Sequence, residues 1–110
     1  MNRKMLKQEP PIGERNFVIW QVYIILCSDN SLYTGITTDP ARRLRQHATG
    51  RGAKYFRGRR PEKLLYLETG HTRSSAGRRE VELKRLTHAR KYLLAATERN
   101  EAVLLSKNSG

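Results

Sequence analysis

The sequence predicts an α+β protein, a small antiparallel sheet of about three strands flanked by helices in the order β-β-α-β-α-α. Three observations carry this. The run FVIWQVYIILC, Phe17 to Cys27, is β-branched or aromatic and nearly all apolar, which suits a central strand. The turn residues Ser28-Asp29-Asn30 follow, and LYTGI, Leu32 to Ile36, resumes as a second strand, so the chain forms a hairpin at once. Beyond the hairpin, capping residues open stretches whose apolar residues recur at helical spacing, with one further strand among them.

Each later element has its own signal. Asp39-Pro40 supplies an N-cap and a proline at the first helical position, Ala41, Leu44 and Ala48 recur on one face, and Gly50 supplies the stop. The glycine-punctuated stretch to Gly58 has room for another helical turn. Lys63 to Thr69, KLLYLET, reads as the third strand. Ser74 or Ser75 caps a helix to about Leu86, and Thr87 caps a last one with Ala89, Leu93 and Ala96 on a common face. Residues 1–15 mix Lys, Glu, Pro10, Pro11 and Gly13 without apolar periodicity, so they are read as a flexible N-terminal arm, residues 16–96 as the domain, and residues 97–110 as a flexible C-terminal tail. The cluster Val103-Leu104-Leu105 makes that tail either frayed or a weak docking segment.

The 110 residues are too few for two ordinary domains. They hold 22 Lys and Arg against 10 Asp and Glu, a formal charge of +12, of which +10 falls in residues 16–96. Between Pro40 and Pro61 stand Arg42, Arg43, Arg45, Arg51, Lys54, Arg57, Arg59 and Arg60 with no acidic residue. Such an excess says little about fold and much about partners, because each phosphate neutralised releases counterions and strengthens binding to nucleic acid. A solvated basic surface is the plainer alternative, but nearby acids do not balance the charge. A membrane surface is a weaker candidate for want of a long basic amphipathic helix. No run approaches the roughly 18 apolar residues of a membrane-spanning helix, and Met1 to Pro11 lacks the apolar core of a secretory signal. The expectation is a soluble, cytoplasmic protein. The single cysteine, Cys27, has no partner for a disulfide or a CxxC zinc site and reads as a small core residue.

Two tyrosines and a glycine open the chemical argument. Tyr23 lies in QVYI and Tyr33 in LYTGI, and they share a face of the sheet if the hairpin loop has an odd number of residues. A three-residue Ser28-Asp29-Asn30 loop does this and a two-residue Asp29-Asn30 turn does not; the odd loop also sets Gly35 opposite Tyr23, where a strand glycine marks the close approach of a ligand or another chain segment. Two half-buried sheet aromatics would fit the same pattern. Arg43 and His47, four apart on the next helix, are neighbours beside its apolar stripe; a fixed bidentate cation next to an imidazole suits a phosphate, and a solvated basic helix remains the alternative. Six acidic residues fall between Asn16 and Ala96. Glu80 and Glu82, on the helix after the third strand, both flank its apolar stripe, and spacing does not separate them; Glu80 is also placed to pair with Lys84 at i+4.

VYI, then YTG ten residues on, then RxxxH starting ten residues after the second tyrosine, then RREVELKRL, together resemble the GIY-YIG nuclease superfamily, and most of all its small single-domain bacterial members. The segment TGITTDPARRLRQHATGRGAKY is similar to them almost throughout, and the resemblance covers about Trp20 to Leu94. Each tripeptide is weak, but the ordered set is specific. By this resemblance Tyr23 matches the tyrosine of the first element and Tyr33 that of the second, Arg43 the catalytic helix arginine, His47 the histidine found four later in several branches, and Glu80 the metal-binding glutamate. Gln21-Val22 stands where the family has Gly-Ile, Thr34 where it has Ile, and no asparagine matches the one some branches place after the glutamate.

The resemblance implies a metal-dependent endonuclease, of the kind used in DNA repair or recombination, with one divalent ion, Mg²⁺ or Mn²⁺, on Glu80 and waters. A two-metal site needs more carboxylates than this chain can converge. Tyr23 would be the general base, Tyr33 would hydrogen-bond the water or phosphate, Arg43 would offset phosphoryl charge, and His47 would orient a phosphate or relay a proton. The partner would be nucleic acid, DNA in the first place, with Arg42, Arg45, Arg51, Lys54, Arg57, Arg59 and Arg60 along its backbone and Tyr55 and Phe56 free to stack on a base or to pack, packing being favoured for Phe56. The alternative is a nucleic-acid-binding module that keeps the fold with little or no catalysis.

Overall fold

The structure, a computed structural model, describes residues 18–103 and 105; the expected N-terminal arm and Phe17 lie outside the described residues. The apolar run forms β1 (Trp20–Cys27), in which Val22 to Ile25 and Cys27 are all buried. A strand buried this fully has to be central, and it is: β2 (Leu32–Thr37) and β3 (Pro61–His71) pair with it on either side, both antiparallel, in the order β2-β1-β3. The hairpin loop is Ser28-Asp29-Asn30. The Cys27 N–H donates to Ser31 O at 2.9 Å, the Asn30 N–H to Cys27 O at 2.9 Å, and Asn30 takes the left-handed conformation at φ 69°, the usual way a three-residue loop closes a hairpin. That odd loop sets Tyr23 opposite Gly35 and Ile25 opposite Tyr33.

β3 is longer than KLLYLET at both ends and pairs with β1 through several register irregularities. Its buried centre, Leu65 to Glu68, lies against β1, with Tyr66 opposite Ile24 and Leu67 opposite Tyr23. The helices follow their caps. Asp39 accepts from the Arg42 N–H at the head of α1 (Pro40–Ala48). A short 3-10 turn, Lys54–Arg57, fills the glycine-punctuated stretch. The cap of α2 (Arg73–Lys84) is Thr72 rather than Ser74 or Ser75; Thr72 and Ser75 form a reciprocal capping box, which satisfies two N-terminal donors at once. Thr87 caps α3 (His88–Ala95) by accepting from the Arg90 N–H.

The sheet separates two cores. On one face Val22, Ile24 and Tyr66 pack under Ala76 and Leu83 of α2, with Leu94 and Ala95 of α3 alongside. On the other, Tyr23, Ile25, Cys27 and Leu67 meet Phe56, with Leu44 of α1 alongside. Two helix faces differ from the expected ones. α3 packs through Leu94 and Ala95, while Ala89 and Ala96 are exposed and Leu93 is 68% exposed; α1 buries His47 and exposes Ala48. The apolar stripe read by spacing missed both because packing is decided by what lies opposite, which for α1 is an aromatic site rather than an aliphatic core.

Beyond Thr97 the chain docks along the outer edge of β3. Asn100 Oδ1 accepts from the Leu67 N–H (3.1 Å), Asn100 Nδ2 donates to Leu65 O and Ala95 O (both 2.9 Å), and the Glu101 N–H donates to Leu67 O (2.7 Å). Ala102 and Leu105 pack against the Tyr23-side core. The packed structure therefore runs past Ala96, and these bonds occupy backbone groups that an open strand edge would leave free. Among the described residues no helix is long and apolar enough to cross a membrane.

Candidate active site

On the Tyr23 face the sheet, α1 and the 3-10 turn bring together five aromatic rings. The Tyr23 and Tyr33 centroids are 6.2 Å apart, Tyr33 meets His47 edge-on at 5.5 Å and Phe56 edge-on at 5.0 Å, and His47 stacks on Phe56 at 4.2 Å. Tyr55 lies 5.1 Å from Tyr33. Two glycines make this closeness possible. A Cβ on Gly35 would sit 2.5 Å from Tyr23 Oη, and one on Gly52 would sit 2.0 Å from His47 Nδ1. Gly35 was legible as a close-approach position. Gly52 was missed, its one signal being that it follows Gly50 so soon.

The hydrogen bonds around His47 determine its tautomer. The Ala53 N–H points at Nδ1 (3.3 Å), and Nε2 lies 3.0 Å from Tyr23 Oη. A backbone N–H can only donate, so Nδ1 accepts. His47 is 1% exposed, and burial, with Arg43 beside it, drives its pKa down to about 4. It is therefore neutral, and its single proton is assigned to Nε2, donated to the Tyr23 oxygen. Tyr23 itself is 2% exposed. Burial, reinforced by Tyr33, pushes its phenol up to about 12, against the hydrogen bonding and charge of Arg43. Arg43 also donates to Gln46 Oε1 at 2.9 Å, which holds its guanidinium on this side of α1. Tyr33 is half-buried and is the outer of the two phenols.

Glu80 lies on α2 within electrostatic reach of Tyr23, whose ionisation it opposes. Its side chain is partly buried and paired with Lys84 at 3.2 Å. Glu82 instead pairs with Arg79 at 3.0 Å and is largely exposed. No three His, Cys, Asp or Glu side chains converge among the described residues. One carboxylate suits a hard, hydrated ion such as Mg²⁺ or Mn²⁺ better than zinc, which takes three or four protein ligands.

The basic residues fall into two groups. Arg42, Arg45 and Arg51 surround a cavity of about 380 Å³ beside α1, and Lys54, Arg57 and Arg60 are exposed. Arg59 differs. Its Nε meets Asp29 Oδ2 at 2.6 Å, its Nη1 donates to Tyr55 O at 3.0 Å, and its guanidinium lies 3.9 Å from the Tyr55 ring centroid. This engagement ties the 3-10 turn to the hairpin loop and lays the guanidinium against the Tyr55 ring. Phe56 is buried and packs.

The fold, the paired tyrosines and the helix arginine above them define a nuclease-type catalytic domain: residues 19–93 match the GIY-YIG catalytic domain, and the chain belongs to that family. Within it the chain is similar to the UPF0213 proteins. One from Haloquadratum walsbyi is 55% identical over 74 residues, 67% of this chain and 83% of the relative. Another, from Desulfotalea psychrophila, is 50% identical over 76 residues, 68% of this chain and 69% of the relative. A protein of E. faecalis solved by solution NMR is 40% identical, with a TM-score of 0.50 over 69% of this chain and 81% of that one.

Proposed function

We propose that the protein is a metal-dependent endonuclease that hydrolyses phosphodiester bonds in nucleic acid, DNA being the expected substrate. The observation that carries this reading is the chain from the Ala53 N–H through neutral His47 to the Tyr23 oxygen. A phenol that accepts from His47 keeps that donor when it ionises, and Arg43 favours the same charged form. Tyr23 then takes a proton from the attacking water. Its raised pKa makes the phenolate a strong base but a scarce one at neutral pH. Tyr33 hydrogen-bonds the water or phosphate, and Arg43 offsets charge developing on the phosphoryl oxygens. Glu80 is the residue that would hold the divalent ion, which when bound supplies further positive charge to the phosphate. Phosphate contacts by arginines carry no base information, so cleavage would be structure-selective or nonspecific.

A nucleic-acid-binding module with little catalysis is the second reading, favoured by the depth at which Tyr23 is buried and by the single carboxylate. Incubating supercoiled plasmid, single strands, branched DNA and RNA with Mg²⁺, Mn²⁺ or EDTA separates the two. Metal-dependent cutting that Glu80→Ala and Tyr23→Phe lose while binding persists is the expected result. Salt-sensitive binding without cutting selects the module, and cutting that survives both substitutions contradicts the site.

A further inference from the structure

Trp20, the protein's one tryptophan, starts β1 at the end of the sheet where α1 begins. Its indole and the Arg43 guanidinium line a single cavity of about 270 Å³. On one side this cavity shares Arg42 and Gln46 with the hollow that holds Arg45 and Arg51. On the other it shares Ile36 with a groove of about 570 Å³, which has Ile36 and Val81 as its apolar lining and Arg73 and Arg78 beside them. Both of these arginines are exposed, Val81 is 49% exposed, and no acidic residue lines the groove, Asp39 being the one acid lining the adjoining cavity, where it caps α1. The Arg73 guanidinium lies 5.4 Å from the Trp20 ring centroid. An indole face, an adjoining apolar surface and two guanidinium groups are complementary to the three parts of a nucleotide: base, sugar and phosphate.

We propose that this second side of Arg43 is a nucleotide subsite: a base adjoining the cleaved phosphate stacks on Trp20, and the next phosphate lies on Arg73 and Arg78. The inference rests on reading the protein as a nucleic-acid enzyme. Arg42, Arg45 and Arg51 then hold the strand on one side of the reacting phosphate, while Trp20, Arg73 and Arg78 hold it on the other.

Because Trp20 is the only indole, its emission reports the subsite directly in the unmodified protein. A short single-stranded oligonucleotide, whose bases are free to stack, is titrated in EDTA while tryptophan emission and the anisotropy of a labelled strand are followed together. Emission should fall saturably with the same midpoint as the anisotropy. The double variant Arg73→Gln, Arg78→Gln, which removes two exposed side chains, should lower the slope of log affinity against log salt by about 1.4, and Trp20→Leu should weaken binding roughly 10-fold. Anisotropy that saturates with emission unchanged would overturn the subsite and leave nucleic-acid binding standing. No anisotropy change at any concentration would overturn both.

Discussion

The two faces of β1 bury polar groups in opposite ways. On the α2 face Glu68 is enclosed but fully matched: the Tyr66 hydroxyl donates to it, His71 Nε2 lies 2.6 Å away, and Arg79 and Arg99 each approach to 3.1 Å. Burial works to raise its pKa, but these partners outweigh burial and leave it lowered. On the α1 face Tyr23 and His47 are buried just as deeply, but both stay neutral, linked to each other by one hydrogen bond. A buried charge surrounded by four partners is a structural tie between β3, α2 and the docked tail. A buried neutral pair beside a cation is a site that can still change its protonation. The difference shows that burial alone does not decide charge; the number of partners a buried group finds does.

Removing the charge from the structural face should have the largest effect. Glu68→Ala leaves Arg79 and Tyr66 without their common partner, and the urea midpoint should report a loss of about 3–5 kcal/mol. A loss within experimental error would show that the network is not the tie described here. On the other face, Gly52→Ala should cut cleavage about 100-fold, since the new methyl displaces His47, and it should do so while the protein still unfolds cooperatively. Equal damage to folding and activity would mean the two faces are not separable.

A third contrast lies in pH. The folded pKa of His47, about 4, lies below its ordinary value of 6.5, so between those values the unfolded chain binds more protons and stability falls as the pH drops. Lowering the pH from 7 to 5 should cost roughly 2 kcal/mol through this group, and His47→Gln should flatten that part of the curve. Glu68 adds to the loss at lower pH, as its carboxylate becomes protonated. The smallest effect separates free from engaged arginines. Arg45→Gln should lower the salt slope of nucleic-acid binding by about 0.7–0.9, and Arg59→Gln should leave it nearly unchanged because Asp29 already holds that charge.

Local signals were enough for a turn within Ser28 to Asn30 and for the Asp39-Pro40 start of α1, because each is decided by a few adjacent residues. The match of Tyr23, Tyr33, Arg43 and His47 to one family pattern was legible for the same reason. The loop's odd length, and with it Gly35 under Tyr23, is fixed only by the strand pairing. What stayed hidden depends on distant partners. Glu68 meets Arg79 and Arg99, far along the chain, and nothing beside it in KLLYLET shows that it is buried. The pairing of Arg59 with Asp29 depends on the hairpin loop, thirty residues away in the chain. The preference for Glu80 over Glu82 comes only from the family pattern; in the fold Glu80 pairs with Lys84 and Glu82 with Arg79.

The central claim is that Tyr23, held by a neutral His47, is the base. The rate of DNA cleavage against pH, under conditions where the chemical step limits turnover, tests it most directly. With the phenol at about 12 and the imidazole at about 4, neither group titrates between pH 6 and 9, so log rate should climb with a slope of about one across that range without a plateau. A flat profile, or one that levels off near pH 7 as an ordinary histidine base would, contradicts the assignment.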